Sequence, residues 1–181
     1  MNVTDTSLPE VKLIEPDVFG DHRGFFLEAW NARTYAEAGL DARFVQDGHS
    51  RSSRGVLRGL HYQLVRPQGK LVRVVSGRAF DVAVDLRRSS TRFGRWTGAE
   101  ISAQNKRLLW IPPGFAHGFL ALEDDTDLLY KCTDFRAPEH ERAILWSDAA
   151  IDVDWPLGGA RPVLAGRDAA APPLAEAEVY E

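Results

Sequence analysis

The sequence predicts an all-β protein, a β-sandwich or closed barrel of short strands, and three observations carry the prediction. Short runs rich in Val, Ile, Leu and aromatic residues recur along most of the chain, many with apolar and polar positions alternating. Turn-forming clusters separate them: Ser76-Gly77-Arg78, Pro112-Pro113-Gly114, Glu123-Asp124-Asp125 and Pro138. Helical periodicity is scarce, which argues against a parallel sheet with crossover helices.

Taken in order, strands are expected at 11–15 and 24–28. Asn31 can cap a short helix over 32–38 that Gly39 ends. Strands follow at 55–63, 70–75, 79–86, 95–101, 106–111, 116–122, 126–133 and 142–146. In the run 79–86, Phe80, Val82, Val84 and Leu86 share one face while Asp81, Ala83 and Asp85 share the other. No repeat or linker interrupts this pattern before about residue 157, so residues 1–181 read as one domain. From Gly158-Gly159 the chain, with Pro162, Pro172 and Pro173, reads as a loop-rich tail (158–181) holding a turn of helix at 174–178.

The net charge of -4 gives no general attraction to nucleic acid or to an anionic membrane, so any anion site must be built from chosen arginines and lysines. Cys132 stands alone and cannot form an internal disulfide, which fits a reducing compartment. The first residues, MNVTDTSLPEVKLIEP, lack the charged start and apolar run of a secretory signal, and no segment has the length of a membrane span. A soluble cytoplasmic protein is expected.

The densest polar constellation is Gly55-Val-Leu-Arg58-Gly-Leu-His61-Tyr-Gln63. An arginine and a histidine inside a strand-like apolar run are costly to bury unless they are paired or functional. Strict alternation puts His61 and Gln63 on one face and Arg58 on the other. A bulge at Gly59 would turn Arg58 and His61 into one cavity. The bland alternative is a surface arginine and a hydrogen-bonded core histidine. Lys70 opening a strand, His117 after Pro112-Pro113-Gly114-Phe115-Ala116, and Tyr130 in Leu128-Leu129-Tyr130-Lys131 each admit a structural reading too.

Two motifs tie these residues together. Gly59–Gly77 has the frame of the first cupin motif, in which a His-x-His pair and a later glutamate bind a metal; here the second histidine position is Gln63 and the glutamate position is Lys70. Pro112-x-Gly114-x-x-His117 matches the second cupin motif. The resemblance implies a cupin-type jelly roll. A cation at one ligand position and a neutral amide at another imply that no metal is held.

A longer series of spaced matches resembles the dTDP-4-dehydrorhamnose 3,5-epimerases over nearly the whole chain. It runs through Phe19-Gly-Asp21-His-Arg23-Gly24-Phe25-Phe26-x-Glu28, Phe44-Val-Gln46-Asp47, Ser50-x-Ser52, Gly55–Gln63 and Gln68-Gly-Lys70-Leu71-Val72-Arg73. It continues through Asp81-Val-Ala-Val-Asp85-Leu-Arg87, Trp110-Ile-Pro112-x-Gly114-Phe-Ala-His117-Gly118-Phe119, Tyr130-Lys131, Pro138-Glu139-x-Glu141 and Trp146-x-Asp148. The resemblance implies inversion of C3 and C5 of a dTDP-linked 4-keto-6-deoxy sugar, with no cofactor. His61 would be the base, Asp168 its carboxylate partner, Tyr130 the acid on the opposite face, and Lys70, with His117 nearby, the holder of the C4 oxyanion. Arg23, Phe26, Glu28, Gln46, Gly48, Arg58, Arg136, Glu141 and Arg167 would bind substrate, with Lys70 and His117. The N-terminal segment carrying Arg23 and Glu28 would reach across a homodimer.

Three positions depart from that pattern. Gly48 stands where the family usually has asparagine, Arg136 where an aromatic commonly stacks on thymine, and Ala165-Gly166-Arg167-Asp168 where Ser-x-Lys-Asp is usual. Arginine keeps the charge at the last site and can stack on a base at Arg136. The alternatives are a metal-dependent cupin, a non-catalytic sugar-nucleotide binding module, and a relative that inverts only C3 or only C5. Loss of the His-x-His pair disfavours the first, and the joint presence of His61, Tyr130 and Asp168 disfavours the second.

Overall fold

In the computed structural model, which describes residues 1–181, thirteen short strands form two facing sheets and one hairpin. They are β1 (Asn2–Asp5), β2 (Lys12–Glu15), β3 (Val18–Asp21), β4 (Gly24–Leu27), β5 (Gln46–Ser52), β6 (Leu57–Gln63), β7 (Lys70–Ser76), β8 (Arg78–Asp85), β9 (Trp96–Ser102), β10 (Leu108–Ile111), β11 (Phe115–Ala121), β12 (Thr126–Cys132) and β13 (Glu141–Ala143). Helix is confined to α1 (Ala32–Glu37), α2 (Gly166–Ala169) and a 3-10 turn at Pro138–His140. The larger sheet runs β1-β2-β10-β7-β12-β5, the smaller β13-β6-β11-β8-β9, and β3 pairs only with β4. All pairings between these strands are antiparallel. This is the all-β jelly roll expected. No helix is long and apolar enough to cross a membrane.

The alternation read in β8 sorts its residues as predicted. Ala79 and Ala83 join Val72, Val74, Leu109, Phe119 and Leu128 in a core shared by both sheets. Val82, Val84 and Leu86 lie on the other side of the small sheet with Leu57, Leu60, Tyr62, Trp155 and the tail residues Leu174, Ala177 and Val179. On the far side of the large sheet, α1 lays Tyr35 over Ile14, Leu71 and Leu108. Asn31 caps α1, its Oδ1 accepting from the Arg33 and Thr34 amides. Cover on both faces explains why β11 is buried at every residue and reads as a continuous apolar run.

Three strands depart from the expectation, and β5 matters most. It pairs with β12 along its full length, yet its sequence is Gln-Asp-Gly-His-Ser-Arg-Ser. Asp47, His49 and Arg51 face water as the outer row of an edge strand, while the inward row is Gln46, Gly48, Ser50 and Ser52. Neither row is apolar, so no strand signature exists. β1 and β3 likewise lie outside the expected strands, of which the one at 24–28 corresponds to β4 of the small hairpin. The tail helix is at Gly166–Ala169 instead of 174–178, because Leu174, Ala177 and Val179 serve as apolar anchors on the small sheet, each large one worth about 1.5–3 kcal/mol when buried. Asp148 fastens that cover: Oδ1 accepts from the Ala150 and Ile151 amides and Oδ2 from the Leu174 amide at 2.7 Å.

Between β6 and β11 the register slips. His117 pairs with His61 and Phe119 with Arg58, so two residues of β6, Gly59 and Leu60, oppose Gly118 alone. Gly59 has φ +138°, and a Cβ there would sit 2.5 Å from the Gly118 Cα. The bulge therefore needs glycine for conformation and for space. Gly59→Ala is expected to lower the unfolding free energy by at least about 2 kcal/mol in urea titrations. Gly55→Ala also has positive φ but meets nothing within 4 Å, and should lose only about 1 kcal/mol. Equal losses at the two sites would show that the approach to Gly118 costs nothing.

Candidate active site

The bulge decides which side chains enter the interior. Leu57, Leu60 and Tyr62 face the outer cluster, so Arg58, His61 and Gln63 are left to point the other way. They line a cavity of about 1010 Å³ whose walls come from both sheets and the tail. From the small sheet it receives Arg58, His61, His117, Phe119 and Glu141; from the large sheet Gln46, Ser50, Lys70, Tyr130 and Cys132.

His61 is paired with a carboxylate. Its Nε2 lies 2.7 Å from Asp168 Oδ1, while Asp168 Oδ2 accepts from the Gly59 amide at 3.4 Å. Asp168 is only 1% exposed, held by α2 against β6, so the tail delivers a buried carboxylate and not a loose surface acid. Burial lowers the His61 pKa; Asp168 opposes that, and Arg167 and Lys70 reinforce it. Burial works to raise the Asp168 pKa, but the hydrogen bond and charge of His61, the Gly59 amide and Arg167 together bring it below the usual carboxylate value.

A second histidine–carboxylate pair faces the same space. His117, opposite His61 in the register, places Nε2 2.9 Å from Asp81 Oδ2. Asp81 is fully buried. Sequence reasoning assigned it no role, although a carboxylate on the inward face of β8 among alanines is the signal of a paired group.

Lys70 and Tyr130 come from the opposing sheet. The Lys70 ammonium has no hydrogen bond or ion pair in the chain, and burial lowers its pKa, opposed by the charges of Cys132, Asp81 and Glu141. Burial raises the Tyr130 pKa, so the phenol is neutral and proton-bearing at physiological pH. At the mouth, Arg136 Nε donates to Glu141 Oε1 at 2.6 Å and Arg167 Nη1 to Oε2 at 3.2 Å. Gln46 Oε1 accepts from the Arg136 amide, and Arg58 Nε donates to Ser52 Oγ at 3.0 Å.

Four expected site residues lie elsewhere. Arg23, 79% exposed and paired with Asp21, and Phe26, 67% exposed, sit on the β3–β4 hairpin, and Glu28 follows it, bonded to Asn31. Gly48 lies beneath the Tyr130 ring and does not line the cavity wall. The polar groups present suit no metal. Gln63 spends its amide on the Arg66 and Phe135 carbonyls and the Ala137 amide, Lys70 is a cation, and no three His, Cys, Asp or Glu converge.

Comparison with known proteins places this geometry. The family model for dTDP-4-dehydrorhamnose 3,5-epimerase matches residues 5–176. A protein of that name from Pseudomonas aeruginosa is 55% identical over 181 residues, covering 99% of each chain. Another from Salmonella typhimurium is 51% identical, with 100% of both chains covered. The solved structure of a dTDP-6-deoxy-D-glucose-3,5-epimerase from Legionella pneumophila, in complex with dTDP-4-keto-L-rhamnose, superposes with a TM-score of 0.94 at 50% identity, covering 98% of this chain and 94% of that one.

The two shifts at the His61–Asp168 pair share a sign. The unfolded chain binds protons at higher pH than the folded one at both groups, so stability falls on acidification, first below 6.5 and then below 3.8. Histidine NMR should find His61 titrating below 6.5. Asp168→Asn, which removes the group that favours the imidazolium, should move that midpoint lower still. An unmoved midpoint would show that Asp168 does not sense the ring.

Proposed function

We infer that this chain, which belongs to the dTDP-4-dehydrorhamnose 3,5-epimerase family, converts dTDP-4-dehydro-6-deoxy-D-glucose into dTDP-4-dehydro-L-rhamnose by inverting C3 and C5. One observation carries the mechanism: a carboxylate-paired histidine on one sheet and a neutral tyrosine on the other line the same cavity, with an unpaired lysine among them. Inversion beside a ketone needs a base on one face of the sugar ring and an acid on the other, and the two-sheet construction supports that division.

In this reading the C4 ketone acidifies the hydrogens at C3 and C5. His61 removes one, Asp168 stabilising the imidazolium that forms. Charge moves to the C4 oxygen as the enolate develops. Lys70, without a partner in the free protein, supplies the compensating positive charge, and His117 stands beside it with Asp81 holding its ring. Tyr130 then returns a proton to the opposite face, and the cycle repeats at the second carbon. Gln46, Arg58, Arg136, Glu141 and Arg167 surround the dTDP portion, the arginines suiting diphosphate oxygens. The enzyme works in the cytoplasm, where Cys132, buried and alone, stays a thiol.

Arg23, Phe26 and Glu28 act in a homodimer. Val18, Phe19, Phe25 and Phe26 are all exposed on the small hairpin, an apolar surface that a lone chain would leave in water. Laid on a second copy, the hairpin would bring Arg23 and Glu28 to the partner's cavity.

Proton NMR of the substrate with enzyme in heavy water tests the chemistry. Deuterium should enter at C3 and C5, with or without chelator; label at one carbon would mean a mono-epimerase. His61→Ala should lose exchange at both carbons by at least about 10³-fold, and Tyr130→Phe should keep exchange while inversion drops by about 10²-fold. Exchange surviving in the first variant, or unchanged inversion in the second, would reassign base or acid. For the assembly, sedimentation should give a dimer, and Phe19→Ser with Phe26→Ser should give a monomer with epimer formation down by about tenfold or more. A fully active monomer would remove the shared-site reading.

A further inference from the structure

Arg167 stands between the mouth of the cavity and the His61–Asp168 pair. From α2 its guanidinium reaches three groups at once. Nη1 donates to Glu141 Oε2 at 3.2 Å, Nε lies 3.3 Å from Asp168 Oδ1, and Nη2 lies 3.3 Å from His61 Nε2. Both carboxylates have a shorter bond of their own. Asp168 Oδ1 is 2.7 Å from His61, and Glu141 Oε1 accepts from Arg136 Nε at 2.6 Å, with Arg136 Nη2 3.3 Å from Oε2. Arg167 is therefore the secondary partner of each, and withdrawing it leaves neither carboxylate unpaired. Its side chain is 58% exposed, and ion pairs open to water hold a side chain weakly.

The contact with His61 sets like against like. A guanidinium has only N–H donors, and a protonated imidazole donates too, so positive charge at 3.3 Å opposes the imidazolium. Arg167 also shares the Asp168 oxygen that would stabilise that imidazolium. The other titratable groups facing the same space are Lys70 from β7, Tyr130 and Cys132 from β12, His117 from β11, Glu141 from β13 and Arg58 from β6 itself. Among the cations, Arg167 alone touches both members of the His61–Asp168 pair and also reaches the mouth. We propose that Arg167 is a positioning residue that reports nucleotide binding to the base. With the cavity empty it sets its charge against His61 and Asp168; when a diphosphate enters it turns to those oxygens and leaves Asp168 to His61 alone.

The inference rests on the assignment above of His61 as base and of the arginines at the mouth as diphosphate ligands. A guanidinium meets diphosphate oxygens through two parallel charge-assisted bonds, which outweigh three long contacts shared with other partners. With that charge neutralised and Asp168 serving one cation, the imidazolium forms more readily. His61 is thus held neutral in the free protein and becomes the stronger base once substrate is in place. The lysine usual in the family at this position carries the same charge and can make the same move.

Histidine NMR of the full chain tests this, with His61→Gln to assign the His61 signal. The probe is dTDP, which has the diphosphate but no reacting sugar, at concentrations that calorimetry shows to saturate each variant. Bound dTDP should move the His61 midpoint to higher pH, and thymidine, which lacks the diphosphate, should leave it in place. In Arg167→Gln the midpoint of the free protein should already lie higher, and dTDP should move it less than about half as far as in the unmutated protein. Arg167→Lys should restore the larger response. A direct effect of the nucleotide's negative charge predicts otherwise, since its influence on His61 survives removal of Arg167. A response in Arg167→Gln as large as in the unmutated protein therefore overturns the inference. So does a free-protein midpoint that the substitution leaves unmoved, a thymidine response equal to that of dTDP, or a lysine variant that responds no more than the glutamine one. Calorimetry keeps the two readings apart: dTDP bound with His61 unmoved removes the coupling alone, whereas failure of dTDP to bind the unmutated protein removes the nucleotide reading and the coupling with it.

Discussion

The slip of register at Gly59 is the constraint on which the rest of the site depends. In an unbroken strand Arg58 and His61 point to opposite faces, and one of them would be lost to the outer side of the small sheet. The extra residue puts both on the cavity side and leaves Leu60 and Tyr62 facing outward. At the same bulge the Gly59 amide donates to Asp168. Backbone irregularity, His61 and its carboxylate partner thus meet within three residues of β6, and the joint is possible only because Gly118 lets the neighbouring backbone come close.

Outward-facing Leu60 and Tyr62 would be a liability if left in water. The tail covers them, and the covering is tied down at several points: Asp148 to Leu174, the Leu145 amide to the Pro172 carbonyl at 2.9 Å, and the Tyr180 hydroxyl to the Gln63 carbonyl at 2.7 Å. The same segment carries α2, whose Asp168 turns back toward His61. The docked tail therefore carries the carboxylate of the His61–Asp168 pair. A segment that looks expendable by composition supplies both the cover of an outer core and the carboxylate partner of His61.

That double duty explains what could and could not be read from the sequence. Strands such as β7, β8 and β12 were legible because their burial on at least one face enforces alternation or apolar runs. β5 was not, because its inner row meets a polar cavity and its outer row meets water. The bulge at Gly59 was legible as a possibility from a glycine between two costly polar residues; only the β11 register shows that it forms. Lys70, His117, Tyr130 and Asp168 were tied together by resemblance to a family, and the cavity now holds all four. Asp81 was visible as an acid on an inward face but went without a role, since its partner His117 lies 36 positions away in sequence. Arg23 and Phe26 lie on a hairpin that pairs with neither sheet and Glu28 follows it, so the role proposed for them depends on a second copy.

The charges in the cavity complete the logic of a site that replaces a metal with side chains. In the cupin frame the position of Lys70 is one from which a carboxylate would help bind a cation; an ammonium there reverses the requirement and asks for an anion. Burial makes that ammonium costly while the cavity is empty, and no residue of the chain pairs with it. The two carboxylates nearest the histidines are already committed, Asp168 to His61 and Asp81 to His117. Lys70 is left with neither a hydrogen bond nor an ion pair, facing the space where, in the proposed reaction, a ketone oxygen would become an enolate. In the proposed mechanism, selectivity for charge that develops during the reaction, and not for charge already present, would follow from leaving Lys70 alone until that moment.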